Sequence, residues 1–334
     1  MDLRQLRYFV ALATQQNFNR AAEVLHIAQP ALSRQIKLLE DELDVVLFER
    51  HPRGATPTQE AIQLLDRANF LLRYAEQLKF DMQRLHSAPK GPVALGLSPG
   101  LASILVGRLF ERISRDFADI HLKIEEGFAP ALHDQLIHGV VDLAILNGSA
   151  YLANIESTPL LSESLCAIAR HSDPRLGDLP IDIEDLANIP LILTGIPKAG
   201  VRLELEPAAA RAGVRLNPVI EVETIAVART LVERGAGWTV HFAAAVRNEI
   251  DAGILRATPI KGLNLQRSLG HSIGRPQSRA ATTVAGLILQ LIRDMVTNGD
   301  WANASLLPQA PEIEPMARPG KEGQARRRKM LLQK

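Results

Sequence analysis

The stretch Phe18 to Leu43, inside NFNRAAEVLHIAQPALSRQIKLLEDEL, restricts the fold more than any other part of the chain. Phe18, Ala21, Ala22 and Leu25 recur at helical spacing on one face, and the two alanines are small enough for a second helix to approach closely. His26 to Gln29 interrupts the pattern. Pro30 stands where a first helical residue would be, and its missing N–H costs nothing there. Leu32, Ile36, Leu39 and Leu43 then make a second apolar stripe, while Ser33, Arg34, Gln35 and Lys37 occupy the other flank. A helix-turn-helix needs these parts: a bracing helix, a tight connection, and a second helix whose first turns meet phosphates and base edges in the major groove. A plain helical hairpin with a solvated face shares the pattern, so the flanking residues have to decide.

Leu3, Leu6, Phe9, Val10 and Ala13 predict a preceding helix that closes a three-helix core. After Leu43 comes DVVLFERHPRGATPT, an apolar run followed by Arg50 and Arg53 around Pro52 and Gly54, which reads as a β-wing with a basic tip. The opening LRQLRYFVALA, then FNRAAEVLHIAQPALSRQIKLLEDEL, then LFER, in that order, closely resembles the LysR-type transcriptional regulators. The resemblance implies that Gln29, Ser33 and Arg34 contact bases or phosphates of double-stranded promoter DNA. Pro30 and Lys37 complete that recognition surface, and Arg50 and Arg53 hold the DNA backbone. The sequence departs from the family in two places. Asp44 stands where glycine is usual, and Asp tolerates the left-handed conformation needed there at some cost. Pro57-Thr58-Gln59-Glu60-Ala61 replaces the usual Leu-Thr-x-Ala-Gly, which leaves the start of the next helix open.

At 334 residues the chain is too long for a single DNA-binding module, and 46% hydrophobic residues support sizeable cores. A net charge of +1 excludes a polyelectrolyte binder, so any nucleic-acid contact depends on locally placed charge. Glu40, Asp41 and Glu42 are expected to balance the basic residues at the far end of the second helix, away from DNA. The single cysteine, Cys166, excludes an internal disulfide framework and, lying in an apolar run, reads as a buried structural thiol. The chain opens directly into an amphipathic helix without an apolar signal core, and no apolar run looks long enough to span a bilayer. A cytoplasmic protein without membrane contact is expected.

The predicted class is α+β multidomain. The winged helix-turn-helix covers residues 1–58, and a linker helix and hinge cover 59–90. From Thr58 to His86 one helix carries a seam of Ala61, Leu64, Ala68, Leu71, Ala75, Leu78, Met82 and Leu85. Such a seam favours pairing with a second copy, which would present two recognition helices to two half-sites. The resemblance implies the linker helix of a homodimer or homotetramer, with RNA polymerase a further candidate partner. Ser87 to Pro92 is a hinge by composition. Strand and helix patterns then alternate from Val93 to Val296, with Leu165–Arg170, Leu255–Ile260 and Ser268–Ile273 among the short expected strands, predicting two α/β lobes over residues 91–297. This part resembles, more loosely, the effector-binding domain of the family, which is similar to periplasmic solute-binding proteins; Leu231 to Phe242 is its clearest piece. Residues 298–334 turn Pro- and charge-rich and end in Arg326-Arg-Arg-Lys329, predicting a disordered tail.

Gly96-Leu-Ser98-Pro-Gly100 matches the G-x-S-x-G pattern of a hydrolase nucleophile between a strand and a helix. The residue after that serine must donate its backbone N–H to the oxyanion, and Pro99 has none. His241 and His271 have no spacing that ties them to Ser98. A small-molecule site suits these residues better, because ligands of open α/β sheets collect outside the strand ends and helix N-termini attract anions. Ser98 and Gly100 at the first strand end, Gly127, Phe128 and Asn147 at the others of the first lobe, and Thr194, Gly195 and Thr224 in the second lobe are the candidate effector residues. Each also fits an ordinary cap or turn. The expected effector is a small organic anion. His133 and His138, five apart, diverge around a helix, so no metal or other cofactor is expected. An enzyme would need a convergent catalytic set. A transporter's solute-binding protein would need an export signal, and an architectural DNA binder would leave the two lobes unexplained.

Overall fold

A computed structural model describes residues 1–51, 54–83, 89–148 and 154–308, with backbone only for Gln77 and for residues 80–83. The first helix, α1, spans Leu3–Gln15 and starts in a capping box, Asp2 accepting from the Gln5 N–H and Gln5 from the Asp2 N–H. Helix α2, Phe18–Val24, is capped by Asn17, and α3 covers Gln29–Leu43. Leu6, Phe9, Leu12, Ala21, Ala22, Leu32, Ile36 and Leu39 form one buried core, as the periodicity requires. Asp44 ends α3 at φ 54°, in the left-handed conformation expected of it. Strands β1, Phe48–His51, and β2, Gly54–Pro57, pair antiparallel as the wing. Gly54 is required there: its φ is +153°, and a Cβ would collide with the Gln16 carbonyl that accepts the Ala55 N–H at 2.8 Å.

Thr58 settles the start of the next helix. Its hydroxyl accepts the Ala61 N–H at 3.2 Å and donates to the Val46 carbonyl at 2.8 Å, so α4 begins at Gln59 and runs to Gln83. The seam divides. Ala61 and Ala68 are fully buried and belong to the core that includes α1, so this part of the stripe is used within the chain. Leu71 and Leu78, 39% and 50% exposed, remain open for another surface. The Met82 side chain, Leu85 and the start of the expected hinge lie outside the described residues.

Beyond Pro89 one sheet of nine strands has the order β4-β3-β5-β10-β6-β9-β7-β8, with β11 on β6. Its members are β3 (Gly91–Leu97), β4 (Ile120–Glu126), β5 (Leu143–Asn147), β6 (Ile155–Arg170), β7 (Pro190–Thr194), β8 (Asn217–Val222), β9 (Trp238–His241), β10 (Leu255–Ser272) and β11 (Ala304–Leu306). The helices between them are α5 (Pro99–Asp116), α6 (Ala129–His138), α7 (Arg202–Arg211), α8 (Ile225–Glu233), α9 (Arg247–Asp251) and α10 (Arg279–Thr297). Strands β6 and β10 pair antiparallel along both lobes, their register slipping between Pro259 and Asn264. One end of the pair joins β5 through Arg267–Gly270, and the other joins β9 through Cys166–Ile168. The separate cores, Val93 to Trp301 in the first lobe and Leu165 to Leu265 in the second, confirm two α/β lobes.

Four sequence readings need correction. The expected strands Leu165–Arg170 and Leu255–Ile260 are halves of much longer ones, because Glu163 and Arg267 are polar yet fully inside and mask the apolar pattern. The tail does not start at Asn298: Trp301 is 1% exposed and β11 pairs with β6, so the chain stays folded to Pro308. Residues 309–334, with the basic run, lie outside the described residues. Helix α10 is in fact long and apolar enough to cross a membrane by length and composition. Its stripe of Val284, Ile288, Leu291, Ile292 and Met295 is instead buried in the first lobe. Glu40 is a buried structural residue rather than a surface counter-charge, its carboxylate accepting the N–H groups of Leu47 and Phe48 at 2.8 and 3.2 Å.

Candidate functional site

Two surfaces carry the chemistry. On the first, Gln29, Pro30, Ser33, Arg34, Lys37 and Arg50 border one open concavity. The Leu32, Ile36 and Leu39 stripe is buried, which turns the polar flank of α3 outward. Helix α3 starts at Ala28, which has no side chain to cap it. Arg34 is exposed and in no ion pair among the described residues. Lys37 is paired with Asp41 at 2.8 Å, and that carboxylate raises the affinity of the amine for its proton. Arg50 is not a free arm: its Nη1 donates to the Ser33 hydroxyl at 3.0 Å and its guanidinium lies 4.5 Å from the centre of the Phe18 ring. The wing is thereby tied to both helices of the motif. Arg53, at the wing tip, lies outside the described residues.

The second surface is a cleft between the lobes. The structure brings Ser98, Gly100, Phe128, Asn147, Thr194, Gly195 and Thr224 to its wall. Gly127 is not among them: it packs against Leu132, and its N–H bonds the Leu97 carbonyl at 3.0 Å. Phe128 reaches across from the first lobe, its ring resting near Gly195 and Gly200 of the second. The sequence did not single out the floor. Arg267 donates from Nε to Glu163 at 2.7 Å and from Nη1 to Asn147 at 2.9 Å, and lies 4.3 Å from the Phe242 ring centre. The other Glu163 oxygen accepts from the Trp301 indole at 2.7 Å. The only signal for this network was an arginine and a glutamate within strand-like runs.

Side-chain caps are unevenly distributed over the helices, and α3 and the short α9 lack one away from the cleft. Helices α1, α2, α4 and α10 are capped by the side chains of Asp2, Asn17, Thr58 and Ser278. Helices α5, α6, α7 and α8 begin at Ser98, Phe128, Val201 and Thr224, all at the cleft, and none has a side-chain cap. Ser98 and Thr224 are cap-type residues whose hydroxyls are left for other use. Four positive dipole ends therefore converge on one cavity with their first-turn donors unclaimed by side chains.

His241 enters the same cleft with its ring against Gly100, which brings it near Ser98 and reopens the hydrolase reading. The geometry closes it again. Burial, and then the charge of Arg267, push the His241 imidazole down to about 3, so it is a poor base. Its Nδ1 has no hydrogen-bond partner, so no third group orients it. No group of His, Cys, Asp and Glu among the described residues could hold a metal ion.

Comparison with known proteins covers both parts of the chain. Residues 3–62 match the model of the bacterial regulatory helix-turn-helix protein, lysR family, and residues 86–296 match the LysR substrate binding domain. The chain belongs to the LysR family. It is a DNA-binding transcriptional regulator with an effector-binding domain, not an enzyme. It is 32% identical to the nitrogen assimilation regulatory protein nac of Klebsiella aerogenes, over 87% of this chain and 95% of that one. Full-length OxyR from Pseudomonas aeruginosa superposes with a TM-score of 0.67 at 27% identity, covering 86% of this regulator and 98% of OxyR. The regulator CbnR in complex with its target DNA shares the fold alone, with a TM-score of 0.65 at 19% identity over 88% and 99% of the two chains.

Proposed function

We propose that this regulator reads a two-fold promoter site as a homodimer or homotetramer and changes its grip when a small organic anion enters the cleft. The observation that carries the anion is the set of four uncapped helix N-termini around one cavity. Ser98, Thr194 and Thr224 supply hydroxyls, Arg267 holds Asn147 in place, and Phe128 covers the ligand from the opposite lobe. Glu223, exposed at the same cleft, suits a hydroxyl or amine on the far end of the ligand.

On the DNA side, Gln29, Ser33 and Arg34 meet base edges and phosphates, Lys37 and Arg50 meet the backbone, and the open start of α3 faces a phosphate. Leu71 and Leu78 of α4 pack against the partner's α4. Ligand closure of the two lobes then alters the spacing of two recognition helices, and it shifts that equilibrium only by its differential affinity for the two arrangements. The regulator acts in the cytoplasm, with RNA polymerase as the machinery it influences. A response through thiol chemistry does not suit it: Cys166 is fully buried and pushed up to about 12 by burial, so it holds almost no thiolate to react.

The test is a footprint on DNA flanking its own gene, repeated with a panel of small carboxylates. Ser98→Ala should bind the same DNA and lose the response to the active carboxylate. A normal response in that variant removes Ser98 from the site, and a response to cationic or neutral metabolites alone overturns the anion.

A further inference from the structure

A second cavity, of about 50 Å³, shares no lining residue with the cleft and lies where α4 leans on the first lobe. Room of that size suits a few waters or one phosphate-sized ion. Arg73 of α4 and Arg275, just before α10, both line it, and each leaves one buried nitrogen, Nη2 of Arg73 and Nη1 of Arg275, without a hydrogen-bond partner. Buried guanidinium N–H groups are costly to leave unmatched. Asp142 lines the same cavity and its charge offsets part of theirs, but it gives neither orphaned nitrogen an acceptor. Its Oδ2 accepts the Ala94 N–H at 2.8 Å, and no ion pair joins it to either arginine among the described residues.

The placement is enforced by packing rather than by pairing. The Arg275 guanidinium sits 3.7 Å from the centre of the Phe70 ring, and Phe70 stacks on Tyr74 at 5.6 Å. Gly139, at φ +68°, leaves the space that Arg275 fills; any Cβ there would collide with Arg275 and Phe70. Burial first, and then the like charge of Arg73, make Arg275 a weaker cation than usual, so the pair is held together against its own repulsion.

We propose that this cavity is a second anion site, taking a small oxyanion such as phosphate or sulfate between Arg73 and Arg275. The anion gives both orphaned N–H groups an acceptor and replaces repulsion with attraction. Because Arg73 comes from the linker helix and Arg275 from the first lobe, the ion joins the DNA-binding half of the chain to the effector-binding half. The site is independent of the cleft and of the effector proposed for it.

Titration calorimetry of the full-length protein with sodium phosphate, and with sulfate, at constant ionic strength in chloride tests this. Wild type and the Ser98→Ala and Arg34→Ala variants should each show saturable uptake of at least one ion per chain, any further ion in wild type belonging to the cleft. Arg73→Gln and Arg275→Gln should weaken it about ten- to a hundred-fold, the loss of one charged hydrogen-bond partner. Circular dichroism checks that the variants fold; if either glutamine variant does not, the corresponding Arg→Lys form should fold and bind more weakly than wild type. Sulfate and phosphate binding alike indicates a general oxyanion site, and phosphate alone a selective one. Unchanged uptake in folded Arg73 and Arg275 variants, loss of uptake in Ser98→Ala, or no saturation up to tens of millimolar, overturns the proposal.

Discussion

The flank of α3 and the cleft between the lobes are both polar surfaces, yet they are built in opposite ways. The α3 surface comes from residues within one stretch, held out by the apolar stripe on the other side of the same helix. The cleft comes from residues as distant as Ser98 and Arg267, assembled by strands that cross from lobe to lobe. On α3, most charged groups are exposed and replaceable. In the cleft, Glu163 and Arg267 are 0% and 2% exposed, and removing one strands the other. A local surface should lose function without losing its fold, whereas the buried floor of an assembled one should lose both when a single partner is removed.

The largest effect tests that contrast directly. Glu163→Ala leaves the Arg267 guanidinium and the Trp301 indole without their acceptor and should cost about 3–5 kcal/mol of stability, read by urea unfolding. Pairing Glu163→Leu with Arg267→Met should recover most of that loss but not the effector response, since Asn147 then has no donor to hold it. If the single variant is as stable as wild type, the cleft floor is not the buried unit described.

His241 gives the cleft a pH dependence that α3 lacks. Its folded value, about 3, lies below that of an unfolded histidine, about 6.5, so between those limits the unfolded chain binds more protons. Stability from this group is complete above pH 6.5 and falls as the pH drops toward 3. The slope is at most about 1.4 kcal/mol per pH unit, because one proton separates the two states. Urea unfolding at pH 7.5 and 5.5 should show wild type losing more than His241→Gln; equal losses would mean that the imidazole charges freely.

The same contrast explains what could be read in advance. Three-four periodicity placed Leu32, Ile36 and Leu39 inside, and so placed Ser33 and Arg34 outside, because both facts belong to one helix. Strand ends located Ser98, Thr194 and Thr224, since an open α/β sheet fixes where its loops gather. Arg267 escaped, and His241 was set aside as untied to Ser98, because nothing local distinguishes residues that meet across strands more than a hundred positions apart. The folding of 298–308 escaped for the same reason: Trp301 is held by Glu163, which no local pattern near Asn298 announces.

On the local surface, Arg34→Ala should lower affinity for the specific site by about ten- to a hundred-fold, the worth of one bidentate base contact, with no change in the unfolding midpoint. A mobility shift at fixed salt reads the first and urea the second. A fall in the unfolding midpoint would show that the α3 flank is as interdependent as the cleft.

The smallest effect asks how independent the α3 residues are of one another. Lys37 and Asp41 pair on the surface at 2.8 Å, so in the free protein the lysine charge is already partly spent. If Lys37 turns to a phosphate on binding, Asp41→Asn should tighten DNA binding about two-fold, as expected for a weak exposed pair, while Lys37→Gln should reduce the slope of log affinity against log salt by about one. If Asp41→Asn changes nothing while Lys37→Gln still flattens the salt slope, the lysine reaches DNA without leaving its partner. Loss of both effects would confine recognition to the first two turns of α3, the part nearest its uncapped end.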